Sequence, residues 1–246
     1  MIQYVAYSTS GVIQAMNEDN FYVNGCIKSM NKANFLAKGK NKKNKNLFAV
    51  CDGLGGEKNG EEAAFMAVQL LKKYQNSFYI NYMEYLDEIN KKILQKQKEN
   101  QSTLACTFTA LSIENDKLKS VNIGDSRAYI LNSNGFTCLT KDHTEFSTMV
   151  QYGVLNPDDY YISPFRNNLT RVLGDEREQL EPYVHEDVSL KQDDILMICS
   201  DGLCGVMREK EIVEFLREEI SLYKKCKRIV KRALELGSED NITVIL

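Results

Sequence analysis

The chain has 246 residues, 43% of them hydrophobic and 26% charged, with a formal net charge of −3. This is the make-up of a globular protein able to bury a sizeable core, and it gives no electrostatic case for nucleic acid as a partner. No apolar run approaches the roughly 20 residues of a membrane-spanning helix, and Met1-Ile2-Gln3-Tyr4 does not open a secretory signal, so a cytoplasmic location is expected. The seven cysteines include several in apolar strand-like runs (Cys51, Cys106, Cys199), with no CxxC pair or His cluster. They read as free thiols in a reducing compartment rather than a zinc site.

In chain order, residues 2–8 read as a strand, followed by a turn at Asn17-Glu18-Asp19 and a second strand from Phe21. Residues 29–46 are dense in Lys and Asn and are expected to form a flexible, solvated hairpin loop, with a docking surface for acidic partners as the alternative. A further apolar run, Ala49-Val50-Cys51, reads as a buried strand ending in Asp52-Gly53-Leu54-Gly55-Gly56, a turn where backbone can approach a ligand. Helical spacing of Ala64, Ala67, Val68 and Leu71, and again of Tyr82, Leu86, Ile89 and Ile93, predicts amphipathic helices over about 60–76 and 80–98.

The runs 105–113, 118–123, 128–131 and 136–139 are joined by short turns and predict an antiparallel meander. Residues 144–152 read as a short helix, 156–168 as an irregular loop of the kind that forms lids, and 183–188 and 193–200 as strands. Two amphipathic helices follow, capped at Gly237, before a last strand introduced by Asp240. With strands at both ends and no Pro- or Gly-rich linker, residues 1–246 read as one domain.

Asp19, Asp52, Asp125, Asp201 and Asp240 all stand at strand junctions. Each alone is an ordinary cap or turn residue. Clustered without cationic neighbours they would repel one another unless metal ions lay between them. A donor set of oxygens alone, lacking His and Cys, suits Mg²⁺ or Mn²⁺, and two such ions close together suit phosphoester hydrolysis.

The ordered motifs resemble the type 2C, or PPM, metal-dependent protein serine/threonine phosphatases, in particular the compact bacterial members. They are Gly11…Asn17-Glu18-Asp19, Val50-Cys51-Asp52-Gly53-Leu54-Gly55-Gly56, Asn122-Ile123-Gly124-Asp125-Ser126-Arg127-Ala128, Leu139-Thr140-Lys141-Asp142-His143, Leu169-Thr170-Arg171-Val172-Leu173-Gly174, Cys199-Ser200-Asp201-Gly202-Leu203 and Asp240-Asn241-Ile242-Thr243. Each is weak alone; seven in order across the chain are specific. The resemblance implies an α+β fold, an αββα sandwich of two antiparallel sheets flanked by helix pairs, with residues 144–168 as a flap.

It also implies two Mn²⁺ or Mg²⁺ ions and a weaker third. Asp52 would bridge the pair, Gly53 would bind through its carbonyl, and Asp201 and Asp240 would complete it. Glu18 and Asp19 would act through bound water, and Asp125 with Asp201 would hold the third ion. Phosphorylated Ser/Thr proteins would be the substrates, cleaved by direct attack of a bridging water, and a Ser/Thr protein kinase the opposing partner.

Three departures qualify the resemblance. Gln14 occupies the position of an Arg that grips the substrate phosphate, and supplies no charge or bidentate fork; Arg166 and Arg171 are the candidates to replace it. Thr9-Ser10 replaces an acid before the first Gly. Leu54 stands where animal members carry a His proposed as general acid, which leaves a metal-bound water to protonate the leaving group. His143 and Ser200 read as structural rather than as base and nucleophile. Two alternatives stay open: a degenerate phosphatase that binds phosphoproteins without turnover, supported by Gln14 alone, and a small phosphorylated metabolite as substrate.

Overall fold

Residues 45–51 show how the layers arise. Leu47, Ala49 and Cys51 enter one apolar cluster while Phe48 and Val50 enter another, the two-residue period of a strand buried on both faces. The computed structural model describes residues 1–54, 59–176 and 179–246. Its elements run β1 (Ile2–Thr9), β2 (Asn20–Val23), β3 (Cys26–Ile27), β4 (Asn34–Asn41), β5 (Lys45–Cys51), β6 (Gly53–Leu54), α1 (Asn59–Tyr74), α2 (Phe78–Asn100), β7 (Ala105–Cys106), β8 (Phe108–Glu114), β9 (Lys117–Ile123), β10 (Arg127–Asn132) and β11 (Gly135–Cys138). They continue with α3 (Glu145–Gln151), β12 (Tyr183–Ser189), β13 (Ile195–Cys199), α4 (Asp201–Cys204), α5 (Glu209–Arg217), α6 (Leu222–Glu235) and β14 (Ile242–Ile245).

Two six-stranded antiparallel sheets result, ordered β11-β10-β13-β14-β1-β4 and β12-β9-β8-β5-β2-β3, with β6 and β7 forming a small ribbon. Phe21, Val50, Leu111, Ala128, Ile130, Ile198 and Ile245 fill the space between the sheets. The stripes of α1 and α2 (Ala64, Leu71, Leu86, Ile89, Ile93) cover the outer face of the second sheet, and Ile212, Leu216, Ile229 and Val230 of α5 and α6 cover that of the first. The expected αββα sandwich is the observed fold.

Several local expectations need correction. The 29–46 segment is not a solvated loop throughout: residues 34–41 form β4, paired along its whole length with β1, and only residues 29–33 and the turn between β4 and β5 match the expectation. Its lysines mask a strand alternation in which Phe35 and Ala37 pack inward against the inter-sheet core. The meander is also divided. β8 and β9 pair in the second sheet, whereas β10 crosses to the first and pairs with β13 and β11. A 3-10 turn, Pro157–Ile162, interrupts the irregular loop. Part of the glycine turn after Asp52, residues 55–58, lies outside the described residues.

Candidate active site

The crossing from β9 to β10 places Asp125 at the same end of the sandwich as the C-terminal ends of β1, β5 and β13 and the start of β14. Asp52 follows β5, and its backbone is fixed on both sides: its N–H donates to Thr107 Oγ1 at 3.0 Å and its carbonyl accepts from the Thr107 N–H at 2.8 Å. Asp201 opens α4, directly after β13, and Asp240 lies in the exposed approach to β14. Glu18 and Asp19 lie in the turn before β2.

That turn is held by residues distant in sequence. The Glu18 N–H donates to Asn241 Oδ1 at 2.6 Å, and Asn241 Nδ2 donates to the Met16 carbonyl at 2.9 Å. Ser200 Oγ donates to Asp19 Oδ2 at 2.8 Å and accepts the Thr243 N–H at 3.0 Å. Asn17 Nδ2 donates to Ser8 Oγ and to the Ala33 carbonyl, both at 2.9 Å. Beneath it, the buried Lys28 Nζ donates to the Asn17 carbonyl at 2.8 Å and lies 3.6 Å from Glu61. Gly53 packs so closely that a Cβ there would lie 2.2 Å from the Gly60 carbonyl oxygen and 2.8 Å from that of Glu18.

The carboxylates perturb one another strongly. Burial, then the charges of Asp19, Asp201, Asp240 and Asp125, hold Asp52 well above the usual carboxylate range. Burial with Asp240 and Glu61 pushes Glu18 up to about 7. Asp19 is also pushed up to about 7, by burial and by Asp240 and Asp201, against hydrogen bonds from Thr243 and Ser200. Asp201 reaches about 6 through burial and Asp240, with Asp52, the Gly202 amide and Arg166 pulling the other way. Asp125 is raised by burial, Asp201 and Asp142, partly offset by Arg127, which pairs with Asp142 at 2.6 Å.

Two buried oxygens in this group, Asp19 Oδ1 and Asp201 Oδ1, have no hydrogen-bond partner among the described residues. Such orphaned acceptors are costly unless something positive meets them. Among the described residues, no three acidic, His or Cys side chains converge as a finished metal cage. The group is instead a set of mutually repelling oxygen donors, to which hard divalent cations are suited.

The other candidates separate clearly. Gln14 is exposed, in a loop stitched to the Asp240 segment by the Val12 N–H donating to the Ser238 carbonyl at 3.0 Å. Arg166 lies by α4, donating to the carbonyls of Gly205 at 3.2 Å and Tyr161 at 3.3 Å. Arg171 pairs instead with Glu181, away from the carboxylates. His143 is structural in geometry, its Nδ1 accepting the Gly124 N–H at 3.1 Å. The tethers Asn241, Ser200, Thr107 and Lys28 carry no local sequence signal of this role, although Asn241 and Ser200 adjoin Asp240 and Asp201.

Comparison with known proteins agrees with this geometry. The family profile described as protein phosphatase 2C matches residues 35–236. A serine/threonine phosphatase stp from Listeria welshimeri is 31% identical over 219 residues, 84% of this chain and 86% of the relative. The crystal structure of serine/threonine phosphatase Stp1 from Staphylococcus aureus superposes with a TM-score of 0.85 at 25% identity, covering 100% of this chain and 94% of the other. The catalytic domain of PstP in complex with two manganese ions superposes with a TM-score of 0.76 at 26% identity, covering 98% and 97%.

Proposed function

The chain belongs to the protein phosphatase 2C family and is a protein serine/threonine phosphatase, and we propose that the acidic cleft at the end of the sandwich is where it hydrolyses phosphoserine and phosphothreonine monoesters. The observation that carries this reading is the shared field of the carboxylates at one end of the sandwich: Asp240 raises Glu18, Asp19, Asp52 and Asp201, and Asp201 raises Asp19, Asp52 and Asp125, while the buried Asp19 Oδ1 and Asp201 Oδ1 are left without a hydrogen-bond partner among the described residues. The family is metal-dependent.

In this chain Asp52, the Gly53 carbonyl, Asp201 and Asp240 would hold two Mn²⁺ or Mg²⁺ ions, Asp125 with Asp201 a third, and Glu18 and Asp19 would assist through water. Such a pair, when bound, acidifies water and neutralises phosphoryl charge. The rest is done by the chain's own groups. Asn241, Ser200, Thr107 and Lys28 fix the carboxylates in advance, so no reorganisation is needed when substrate arrives. Gln14 supplies a neutral amide donor to a phosphoryl oxygen. Arg166, the cation whose charge reaches Asp201, supplies the positive charge that Gln14 lacks. The flap, residues 144–168, carries Arg166 and borders the cleft.

We further assign residues 1–246 to one catalytic domain, working against a Ser/Thr protein kinase in the cytoplasm. Its seven cysteines are free thiols, five of them buried, which suits a reducing compartment. No described helix is long and apolar enough to cross a membrane. The reading of a degenerate binding module finds no support in the relatives.

The test is hydrolysis of a phosphothreonine peptide with Mn²⁺ by the wild type, Asp201→Asn and Gln14→Arg. Turnover in the wild type, abolished in Asp201→Asn, with a lower KM in Gln14→Arg, is the expected result. Turnover that appears only in Gln14→Arg would restore the binding-module reading, and none in any of the three would place the substrate in another class.

A further inference from the structure

The outer edge of the first sheet is made by β4, which pairs with β1 on one side and with no described strand on the other. Alternate backbone N–H and C=O groups along it therefore face outward, unpaired within the sheet. Its inward side chains are Phe35 and Ala37, and Gly39 lies against Tyr4. The other face presents Lys38 and Lys40, both exposed, and Lys42 and Lys43 follow in the turn.

These cations lack the company that usually offsets them. No Asp or Glu occurs between Asn20 and Cys51. Among the described residues no ion pair involves Lys38, Lys40, Lys42 or Lys43, while Lys45 pairs with Glu114. Lys38 Nζ lies 5.0 Å from the ring centre of Tyr223 on α6, and Lys227 Nζ lies 5.8 Å from the same ring. A sheet edge and a helix thus join in one basic face on a chain whose overall charge is −3.

We propose that β4 is a docking strand for an acidic, extended segment of a protein partner, which adds to the first sheet as one further antiparallel or parallel strand. Lysines on an edge strand oppose pairing with a second identical edge, since like charges would face each other. The same charges select a partner strand bearing carboxylates at alternate positions, and the free backbone supplies the hydrogen bonds of strand addition. Those backbone groups favour a polypeptide over a nucleic acid or a lipid surface, neither of which offers a matching ladder. Asn34 pairs with Thr9 at the cleft end of β1 and Asn41 with Ile2 at the far end. Lys40 is therefore about 20 Å along the strand from Asn34, at ~3.3 Å per residue. Docking there would leave the cleft open and would tether a phosphoprotein near it.

The test is fluorescence anisotropy with the full chain and a labelled peptide of alternating Glu and Thr, compared with the same peptide N-methylated at alternate amides. The expected result is saturable, salt-sensitive binding that weakens by about tenfold or more in Lys38→Glu/Lys40→Glu, an estimate in line with charge-pair coupling at interfaces. The N-methylated peptide, equal in charge but unable to form the ladder, is expected to lose binding to a similar degree. Equal binding of both peptides, tighter binding of polyuridylate or of phosphatidylserine vesicles, or no saturable binding would each overturn the proposal. Hydrolysis of a short neutral phosphothreonine peptide by the double variant should match the wild type, so the outcome is read separately from the phosphatase assignment.

Discussion

Lys28 and Glu61 form an ion pair at 3.6 Å in which both side chains are sealed from solvent, Lys28 at 0% and Glu61 at 2% exposure. The pair joins the loop before β4 to α1 and underlies the turn carrying Glu18 and Asp19. Lys28 Nζ also donates to the carbonyls of Asn17 and Lys32, and Glu61 Oε1 accepts the Asn31 N–H. Glu61 Oε2 has no partner among the described residues, so the ammonium is its main compensation.

Removing one member of such a pair strands the other. Lys28→Met is expected to destabilise the protein by roughly 3–5 kcal/mol in urea unfolding. Lys28→Met/Glu61→Gln should recover a good part of that loss, because no uncompensated charge then remains. Equal stability of the single and double variants would show that the cost lies in the Asn17 tether rather than in the stranded carboxylate.

The proposed metal site links cation binding to protons. Without cations Glu18 and Asp19 stand at about 7 and Asp201 at about 6, so the folded chain holds protons that the unfolded chain has released above the ordinary carboxylate range. For these groups the cation-free protein loses stability as pH rises from about 4 through 7. Cations take the protons' place, so Mn²⁺ should bind more tightly at pH 8 than at pH 6 and release protons near pH 7. Calorimetry in buffers of different ionisation enthalpy measures that release; a buffer-independent heat would sink the prediction.

His143 gives a stability term of opposite sign. Burial, helped by the charge of Arg171, pulls it down to about 4, and its Nδ1 must stay unprotonated to accept the Gly124 N–H. The unfolded chain protonates this group near 6.5, so the stabilisation is complete above that value and fades as pH falls toward 4, by about 3 kcal/mol at most. His143→Asn keeps an acceptor near the position of Nδ1 and cannot titrate. The difference in melting temperature between wild type and His143→Asn should therefore shift in favour of the variant as pH falls from 7 to 5. A pH-independent difference would contradict this.

Arg166 and Gln14 should compensate for each other. Arg166→Met is expected to lower kcat/KM for a phosphothreonine peptide by about 10- to 100-fold, the size of a lost charged hydrogen bond to the phosphate. Adding Gln14→Arg to Arg166→Met should restore part of the loss, mainly through KM. Steady-state kinetics on the four proteins decides it, and strictly additive effects would show that the two positions do not serve the same phosphate.

Much of this was legible in the sequence because strand ends punctuate clearly. An apolar run closing on Asp52-Gly53 or Ser200-Asp201-Gly202 announces a carboxylate at a sheet edge whatever the sheet order is. The order itself was not legible. Short turns on both sides of Gly124 predicted a meander, yet β10 leaves for the other sheet because Ala128 and Ile130 complete the inter-sheet core beside Ile198. The lysines of 34–41 conceal a strand because the charge lies on one face only, while Phe35 and Ala37 on the other pack against the inter-sheet core. The tethers were hidden for a different reason. The Glu18 and Asn241 contact spans 223 residues, and no local pattern marks an Asn that serves a partner so far away.

That span also sets an order of events during synthesis. Ser8 and Thr243 meet through their hydroxyls at 2.8 Å, and β14 lies between β1 and β13. A ribosome releases Asp19, Asp52 and Asp125 well before the strand that draws the halves of the first sheet together. Until β14 is made, β1 and β13 have no shared neighbour, and Glu18 lacks the Asn241 amide that positions it. The nascent chain therefore presents these carboxylates before β14 is there to pair between β1 and β13 and to bring Asn241 to Glu18.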